Sequence, residues 1–300
     1  MENFLQHCIN GLSLGSIYAL IALGYTMVFG ILKLINFAHG DVYMVGAFVG
    51  YYLSAFLGLQ SQPSMVSFFI VLVTSMSVCA ILGFLIERIA YRPLRSSPRI
   101  TALITAIGMS LLLEYVAQLV FGPDPKVFPM VLERRDLFQF GEVSLNNYHA
   151  LIVSVSLTLM LLLRFLVLHT KFGKAMRAIS EDITTASLLG IPTNRIISIT
   201  FMLGAALAGA AGVLVGTVYP RIDPLMGVIP GMKAFSAAVI GGIGNFPGAV
   251  LGGIIMGLSE EMVAAYISSS YRDALAFGLL IFILLVKPSG FFGKYQPEKV

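Results

Sequence analysis

Residues 150–168 read ALIVSVSLTLMLLLRFLVL, an apolar run broken by a single charge, Arg164. As a helix this run is about 28 Å long, against a hydrocarbon core of about 30 Å. Its hydrophobicity is continuous rather than alternating, which excludes a strand of a membrane barrel. Arg164 stands near enough to one end for its stem to carry the guanidinium to the interface. Working outward, runs of the same kind recur at 14–32 (LGSIYALIALGYTMVFGIL), 67–86 (SFFIVLVTSMSVCAILGFLI) and 273–286 (DALAFGLLIFILLV). The chain has 300 residues, 57% of them hydrophobic and 11% charged, with a mean hydropathy of +0.89. A soluble domain carries roughly 25% charged residues. The expected fold is therefore an all-α polytopic membrane protein of about eight transmembrane helices.

Apolar periodicity places helices near 9–30, 35–58, 65–86, 100–121, 149–168, 196–219, 232–266 and 271–287. The seventh is interrupted by Gly244, Pro247 and Gly248. Its piece 232–243 is only about 18 Å long, so this segment is expected to be broken or re-entrant. Basic residues set the orientation. Arg88, Arg92, Arg95 and Arg99, and then Lys171, Lys174, Arg177 and Arg195, place 87–100 and 169–195 in the cytoplasm. Between them the chain crosses twice, so 122–148 lies outside, where Arg134 and Arg135 are accompanied by Glu133, Asp136 and Glu142. The tail, with Lys287, Lys294 and Lys299, reads as cytoplasmic, and the N-terminus as outside. The start lacks the basic region of a signal peptide, so the first helix is expected to be retained.

One membrane domain, 1–300, accounts for the whole sequence. Gly204, Ala208, Gly212 and Gly216 recur at every fourth residue, a smooth stripe on which another helix backbone can approach closely. Gly11 and Gly15, Gly46 and Gly50, and Gly248 and Gly252 share that spacing. Cys8 and Cys79 read as small apolar residues, with no disulfide framework or metal spacing.

The chemistry of enzymes is not represented. There is no phosphate loop, no zinc-protease helix and no nucleophile elbow, and the histidines are scattered at 7, 39, 149 and 169. The net charge of +4 comes from short inter-helix segments rather than a basic face, which argues against nucleic acid, and the scattered histidines, without Cys/His pairing, argue against a resident metal.

Polar residues inside the apolar segments are the functional candidates, because ionisable groups are expensive there. In INFAHGDVYMVGAF (35–48), Asn36, His39 and Asp41 either form a helix junction, with Asn36 or Asp41 capping the second helix, or line a path or gate. Glu114 either lines a path or bonds a neighbouring helix. Lys233 is expected to snorkel from an outer helix start, and Glu260 and Glu261 to reach water near a helix end. In VIGGIGNFPG (239–248), Gly242, Gly244 and Asn245 either open backbone groups toward a cavity or form a turn near the cytoplasmic face. The segment 171–195 is too polar for lipid. There SEDITTASLLGI predicts a short helix with Ile183, Ala186, Ser187 and Gly190 on one side, Glu181 and Asp182 at its N-terminal end, and Pro192 ending it. Such a helix either docks in a groove of a cytoplasmic partner or lies on the membrane.

TTASLLG (184–190) resembles the cytoplasmic coupling loop of ABC importer permeases, whose motif runs Glu-Ala-Ala, three residues, then Gly. Ala186 and Gly190 match, whereas Thr184 and Thr185 depart from it. Together with 11–41, 87–100, 177–191 and 231–253, the chain resembles, over nearly its whole length, the smaller, LivH-type permease of bacterial branched-chain amino acid ABC importers. The resemblance implies half of a translocation path in a bacterial or archaeal plasma membrane. It implies coupling through Glu181, Asp182, Ala186, Ser187 and Gly190. The implied partners are a second homologous permease, two cytoplasmic ATPases that consume the ATP, and an extracytoplasmic amino acid binding protein; no cofactor is implied for this chain. An ion-coupled secondary transporter relaying ions through Asp41, Glu114 and His39 is the alternative, but such carriers usually hold two related halves in one chain. Permeases of this type for urea or amides are another.

Overall fold

The structure, a computed structural model, describes residues 2–95, 97–140 and 143–293. Glu142, Lys294 and Lys299, used above to orient the chain, lie outside the described residues. Eleven helices are described: α1 (Glu2–Leu32), α2 (His39–Phe56), α3 (Met65–Ile86), α4 (Arg99–Phe121), α5 (Asn147–His169), α6 (Lys171–Glu181), α7 (Ile183–Leu188), α8 (Thr193–Val218), α9 (Val228–Gly241), α10 (Phe246–Tyr266) and α11 (Arg272–Val286). Among the described residues, seven helical segments are long and apolar enough to cross a membrane, namely α1, α3, α4, α5, α8, α10 and α11. The chain is an all-α polytopic membrane protein.

The helices sort into centre and periphery. About four-fifths of the apolar window is buried in α1 (83%) and α8 (78%), against 17% in α4 and 11% in α11. The outward faces of α3, α4, α5 and α11 present leucine, isoleucine, valine and phenylalanine, as lipid requires. Between α1 and α8 there is little room for side chains, and small residues make the approach possible. A Cβ on Gly15 would stand 2.8 Å from the Cα of Ile254 on α10, and one on Gly46 of α2 would stand 2.6 Å from the Cα of Gly209 on α8. Gly204 lies against Gly24 of α1, and Gly212 against the backbone of Tyr43 on α2. Cys79, fully buried, directs its thiol at the carbonyl oxygen of Val42, 3.5 Å away.

The segment 232–266 is not one interrupted helix but an antiparallel pair, α9 and α10. They meet along Ala237, Gly241, Gly248 and Gly252, and a Cβ on any of the three glycines would strike the opposite backbone. α9 has 14 residues, about 21 Å, too short to span the hydrocarbon alone. Because its two arms run in opposite directions, the pair restores the parity of the topology. The start of α1 joins 57–64, 122–140, 143–146 and 267–271 at one end of the bundle. Lys33, the arginine-bearing 87–95 and the segment 170–192 gather at the other, the cytoplasmic end by the basic-residue rule.

The outer loop carries two small ribbons. β1 (Lys126–Val127) pairs antiparallel with β4 (Arg221–Ile222), with Lys126 opposite Ile222, and β2 (Asp136–Phe140) pairs antiparallel with β3 (Val143–Asn146). The Phe128 amide donates to the Pro220 carbonyl at 2.6 Å. Its ring fills the space left by Gly50 and Gly216, which pins the loop onto the bundle.

Candidate functional site

α1 ends where Lys33 adopts φ +54°, a left-handed conformation uncommon for a residue with a Cβ. The chain then turns back into the bundle, and α2 starts deep within it. The His39 ring sits where a Cβ of Gly24 would be, beside Gly204, and meets the Tyr25 ring edge-on at 4.8 Å. Gly204 is eleven residues into α8 from its cytoplasmic start, which puts the first turn of α2 about 16 Å along α8 from that end. The junction therefore begins at the cytoplasmic end of the bundle and ends beside the middle of α8. There Gly40 meets the start of α9, where its Cβ would lie 2.6 Å from the carbonyl oxygen of Gly227.

Neither Asn36 nor Asp41 caps α2. The N-cap position is Ala38, without a side-chain bond, and the His39 amide donates to the backbone oxygen of Asn36 at 3.1 Å. The two side chains serve other helices instead. Asn36 Oδ1 accepts from the Tyr91 hydroxyl at 2.9 Å, and Asp41 accepts from the Ser110 hydroxyl of α4. A long-range donor has taken each acceptor that the local capping rule assigned to the helix start. Ser110 is eleven residues into α4, so this bond also lies about 16 Å along its helix from the cytoplasmic end. Glu114 follows one turn later on α4, half-buried. Asn36, His39 and Asp41 are all buried.

Gly242 (φ +102°) and Gly244 (φ +92°) form the turn between α9 and α10, in conformations that only glycine adopts freely. Asn245 caps α10, accepting from the Gly248 amide at 2.9 Å. The backbone groups of this turn are taken up by the C-terminal segment. Phe291 and Phe292 amides donate to the Ile240 and Gly241 carbonyls at 2.9 and 3.1 Å, and Asn245 donates to the Phe292 carbonyl at 3.0 Å.

The expected snorkelling of Lys233 does not occur, and Glu260 and Glu261 do not reach water. Lys233 is 4% exposed and Glu260 3%. The ammonium pairs with Glu260 at 2.8 Å and with Asp273 at 2.7 Å, and the Tyr18 hydroxyl donates to Glu260 at 2.8 Å. Glu261 holds His7 at 3.2 Å and Arg272 at 3.1 Å. Four helices, α1, α9, α10 and α11, supply the partners. Arg164, by contrast, stands exposed on α5.

The cytoplasmic segment is two helices rather than one. In α6 the Thr170 hydroxyl caps the start, accepting from the Gly173 amide at 3.1 Å, and Gly173, Met176 and Ile179 form the buried face. Asp182 breaks the chain direction and caps α7, accepting from the Thr184 and Thr185 amides at 2.7 and 3.2 Å and from the Thr185 hydroxyl at 2.8 Å. α7 ends at Leu188, ahead of Pro192, with Gly190 at φ +80°. Of the side predicted to be apolar, only Ala186 is buried; Ile183, Ser187 and Gly190 are exposed, as is Glu181. Leu188 and Leu189 are 83% and 76% exposed, and sequence reasoning did not single them out.

The Thr185 hydroxyl, followed by the Thr185 and Thr184 amides, holds the Asp182 carboxyl below the usual carboxylate range. A depressed value means that the cap is fully present above the unfolded pKa and is lost as pH falls through the lower folded one. At neutral pH, Asp182→Ala is expected to speed hydrogen exchange of the Thr184 and Thr185 amides. Asp182→Asn, which keeps an acceptor, is expected to preserve most of the protection; equal exchange in all three chains would show that the cap is not formed.

A further polar cluster was not anticipated. Glu87, fully buried, accepts from Arg95 and, at 2.5 Å, from the Ser198 hydroxyl of α8. Arg95 also donates to Asn194 Oδ1 at 2.6 Å. The available signal was a lone acid within a segment otherwise rich in arginine.

Similar proteins give this arrangement a family. The model described as "Branched-chain amino acid transport system / permease component" matches residues 8–284. The high-affinity branched-chain amino acid transport system permease protein LivH of Escherichia coli is 45% identical, over 99% of this chain and 98% of its own. BraD of Pseudomonas aeruginosa, with the same description, is 45% identical over 99% and 98%. LivM of Escherichia coli, a further permease protein, is 25% identical over 95% of this chain and 70% of its own. With the family model matching more than half of its length, the chain belongs to the permease components of branched-chain amino acid transport systems.

Proposed function

We propose that this chain is one half of the membrane path of an ATP-driven importer of branched-chain amino acids in a prokaryotic plasma membrane. It is a passive permease rather than an enzyme. Two cytoplasmic ATPases hydrolyse ATP beneath it, an extracytoplasmic binding protein delivers substrate to the outer loops, and a second permease of similar fold completes the path. The relatives described as branched-chain amino acid permeases support the substrate class, and the weaker likeness to LivM supports a pair of related permeases.

The observation that carries the reading is α7. It is a capped cytoplasmic helix that ends in exposed Leu188, with exposed Leu189 directly after it, which suits docking into a groove on a soluble partner. Glu181, Asp182, Ala186, Ser187 and Gly190 would form and position this coupling element. Within the membrane, Asp41, Ser110 and Glu114 lie at a depth where a buried carboxylate serves function by default. With Asn36 and His39 they make the α2 start the best candidate for the path wall or gate; Gly242, Gly244 and Asn245 would act at its cytoplasmic mouth. The stripe Gly204, Ala208, Gly212 and Gly216 would let α1 and α2 slide along α8.

The test is uptake by vesicles that hold the chain with its second permease and ATPases. ATP-dependent uptake of leucine, inhibited by excess isoleucine or valine but not by glutamate or urea, is expected. Uptake by the chain alone without ATP would overturn the reading in favour of a secondary carrier.

A further inference from the structure

The buried cluster around Glu87 joins the α3–α4 connection to the first turns of α8. Residues 87–91 form a π-helical turn at the end of α3, followed by a turn of 3₁₀ helix over Arg92–Leu94. Such wide turns recur at functional sites. Glu87 and Arg95 belong to this connection, whereas Ser198 and Asn194 belong to α8. Asn194 stands two residues after Pro192, directly beyond α7 and Gly190. The same connection reaches the α1–α2 junction, because the Tyr91 hydroxyl donates to Asn36 and the Tyr91 ring lies 5.3 Å from that of Phe201 on α8. Side-chain bonds therefore run from the exit of α7 through Asn194 and Arg95 to Glu87, and the π-helical turn that carries Glu87 also carries Tyr91, whose hydroxyl bonds the segment that leads into α2.

A fully buried carboxylate is costly, and it persists only where donors compensate it. An apolar residue would pack the same space at less cost, so mere stability does not call for a charge here. What the ion pair adds is direction and stiffness: Arg95 bonds Glu87 and Asn194 together, and Glu87 bonds Arg95 and Ser198 together. A displacement of the α8 start cannot leave the α3–α4 connection behind while these bonds hold.

We propose that Glu87 and Arg95 are positioning residues that transmit movement of the cytoplasmic α7 segment to the α1–α2 junction. The proposal rests on the reading of α7 as the ATPase-docking helix. It assigns coupling, rather than assembly or substrate contact, to bonds that cross between the α3–α4 connection and α8.

The variant that isolates those bonds is the double change Ser198→Ala with Asn194→Ala. It leaves the Glu87–Arg95 pair intact and exposes no unpaired charge. In the assembled complex in vesicles, ATP hydrolysis and co-purification of all subunits should stay near wild type. Amino acid taken up per ATP hydrolysed should fall about tenfold, within the range of coupling between distant sites. Ser198→Thr, which keeps the hydroxyl, should stay close to wild type. Unchanged uptake per ATP in the double variant overturns the proposal. So does loss of assembly, which would make the bonds structural. Failure of the underlying reading is separable, since it would appear as ATPases that still co-purify when Leu188 and Leu189 are both replaced by aspartate.

Discussion

Replacing Leu188 and Leu189 together by aspartate is expected to abolish ATP-driven uptake while leaving the chain in the membrane at its normal level. Both side chains are largely exposed, 83% and 76%, so the substitution removes little packing within the chain. Exposed apolar pairs on a polar cytoplasmic segment mark a surface that something else covers. Burying a leucine is worth about 1.5–3 kcal/mol, so two contribute at least about 3 kcal/mol to docking. Losing that much weakens binding more than about a hundredfold, and two carboxylates forced into an apolar groove add a desolvation cost. The measurement is co-purification of the ATPases with the permease, beside uptake in vesicles. Retention of the ATPases by the double aspartate variant would show that α7 is an interfacial helix resting on lipid headgroups. Leu188→Met with Leu189→Met, which keeps volume and apolarity, is expected to assemble.

What could be read from the sequence follows from the range of the physics involved. Spans are legible because apolar length is a local property; α3, α5 and α8 fall close to the stretches that hydrophobicity marks out. α2 was legible as a helix, although, with His39 and Asp41 in its first turn, it is not among the seven long and apolar enough to cross a membrane. Its depth was not legible, because that depends on where Gly24, Gly204 and Gly227 make room for it. The capping rule assigned Asn36 and Asp41 to the α2 start, and it failed because Tyr91 and Ser110 supply donors from other helices. The cytoplasmic segment was legible as helical and polar. Its division was missed because Asp-Ile-Thr-Thr (182–185) forms a cap as readily as a first turn. Glu87 and its partners were invisible for the same reason as Lys233 and Glu260: each charge alone resembles an ordinary helix end, and only the fold brings them together.

That pairing carries the second large prediction. Lys233→Met is expected to destabilise the chain by about 3–5 kcal/mol, the cost of removing one partner from a buried ion pair. Both side chains are about 95% buried, at 5% and 4% exposure, so water cannot replace the lost ammonium. Glu260 would keep only the Tyr18 hydroxyl. Asp273, whose side chain is 56% exposed, can turn to solvent and adds little, since exposed ion pairs are worth about 0–1 kcal/mol. The double variant Lys233→Met with Glu260→Gln removes the orphaned charge while the amide still accepts from Tyr18. It should recover most of the loss, because a buried pair replaced as a unit is often close to neutral. The measurement is the fraction of purified protein that stays folded in detergent after heating. Equal stability of Lys233→Met and wild type would mean that the ammonium is hydrated, as expected of a snorkelling residue. A double variant no more stable than the single one would assign the loss to the lysine stem's packing against α9, α10 and α11, leaving the charge itself without a part in holding these helices together.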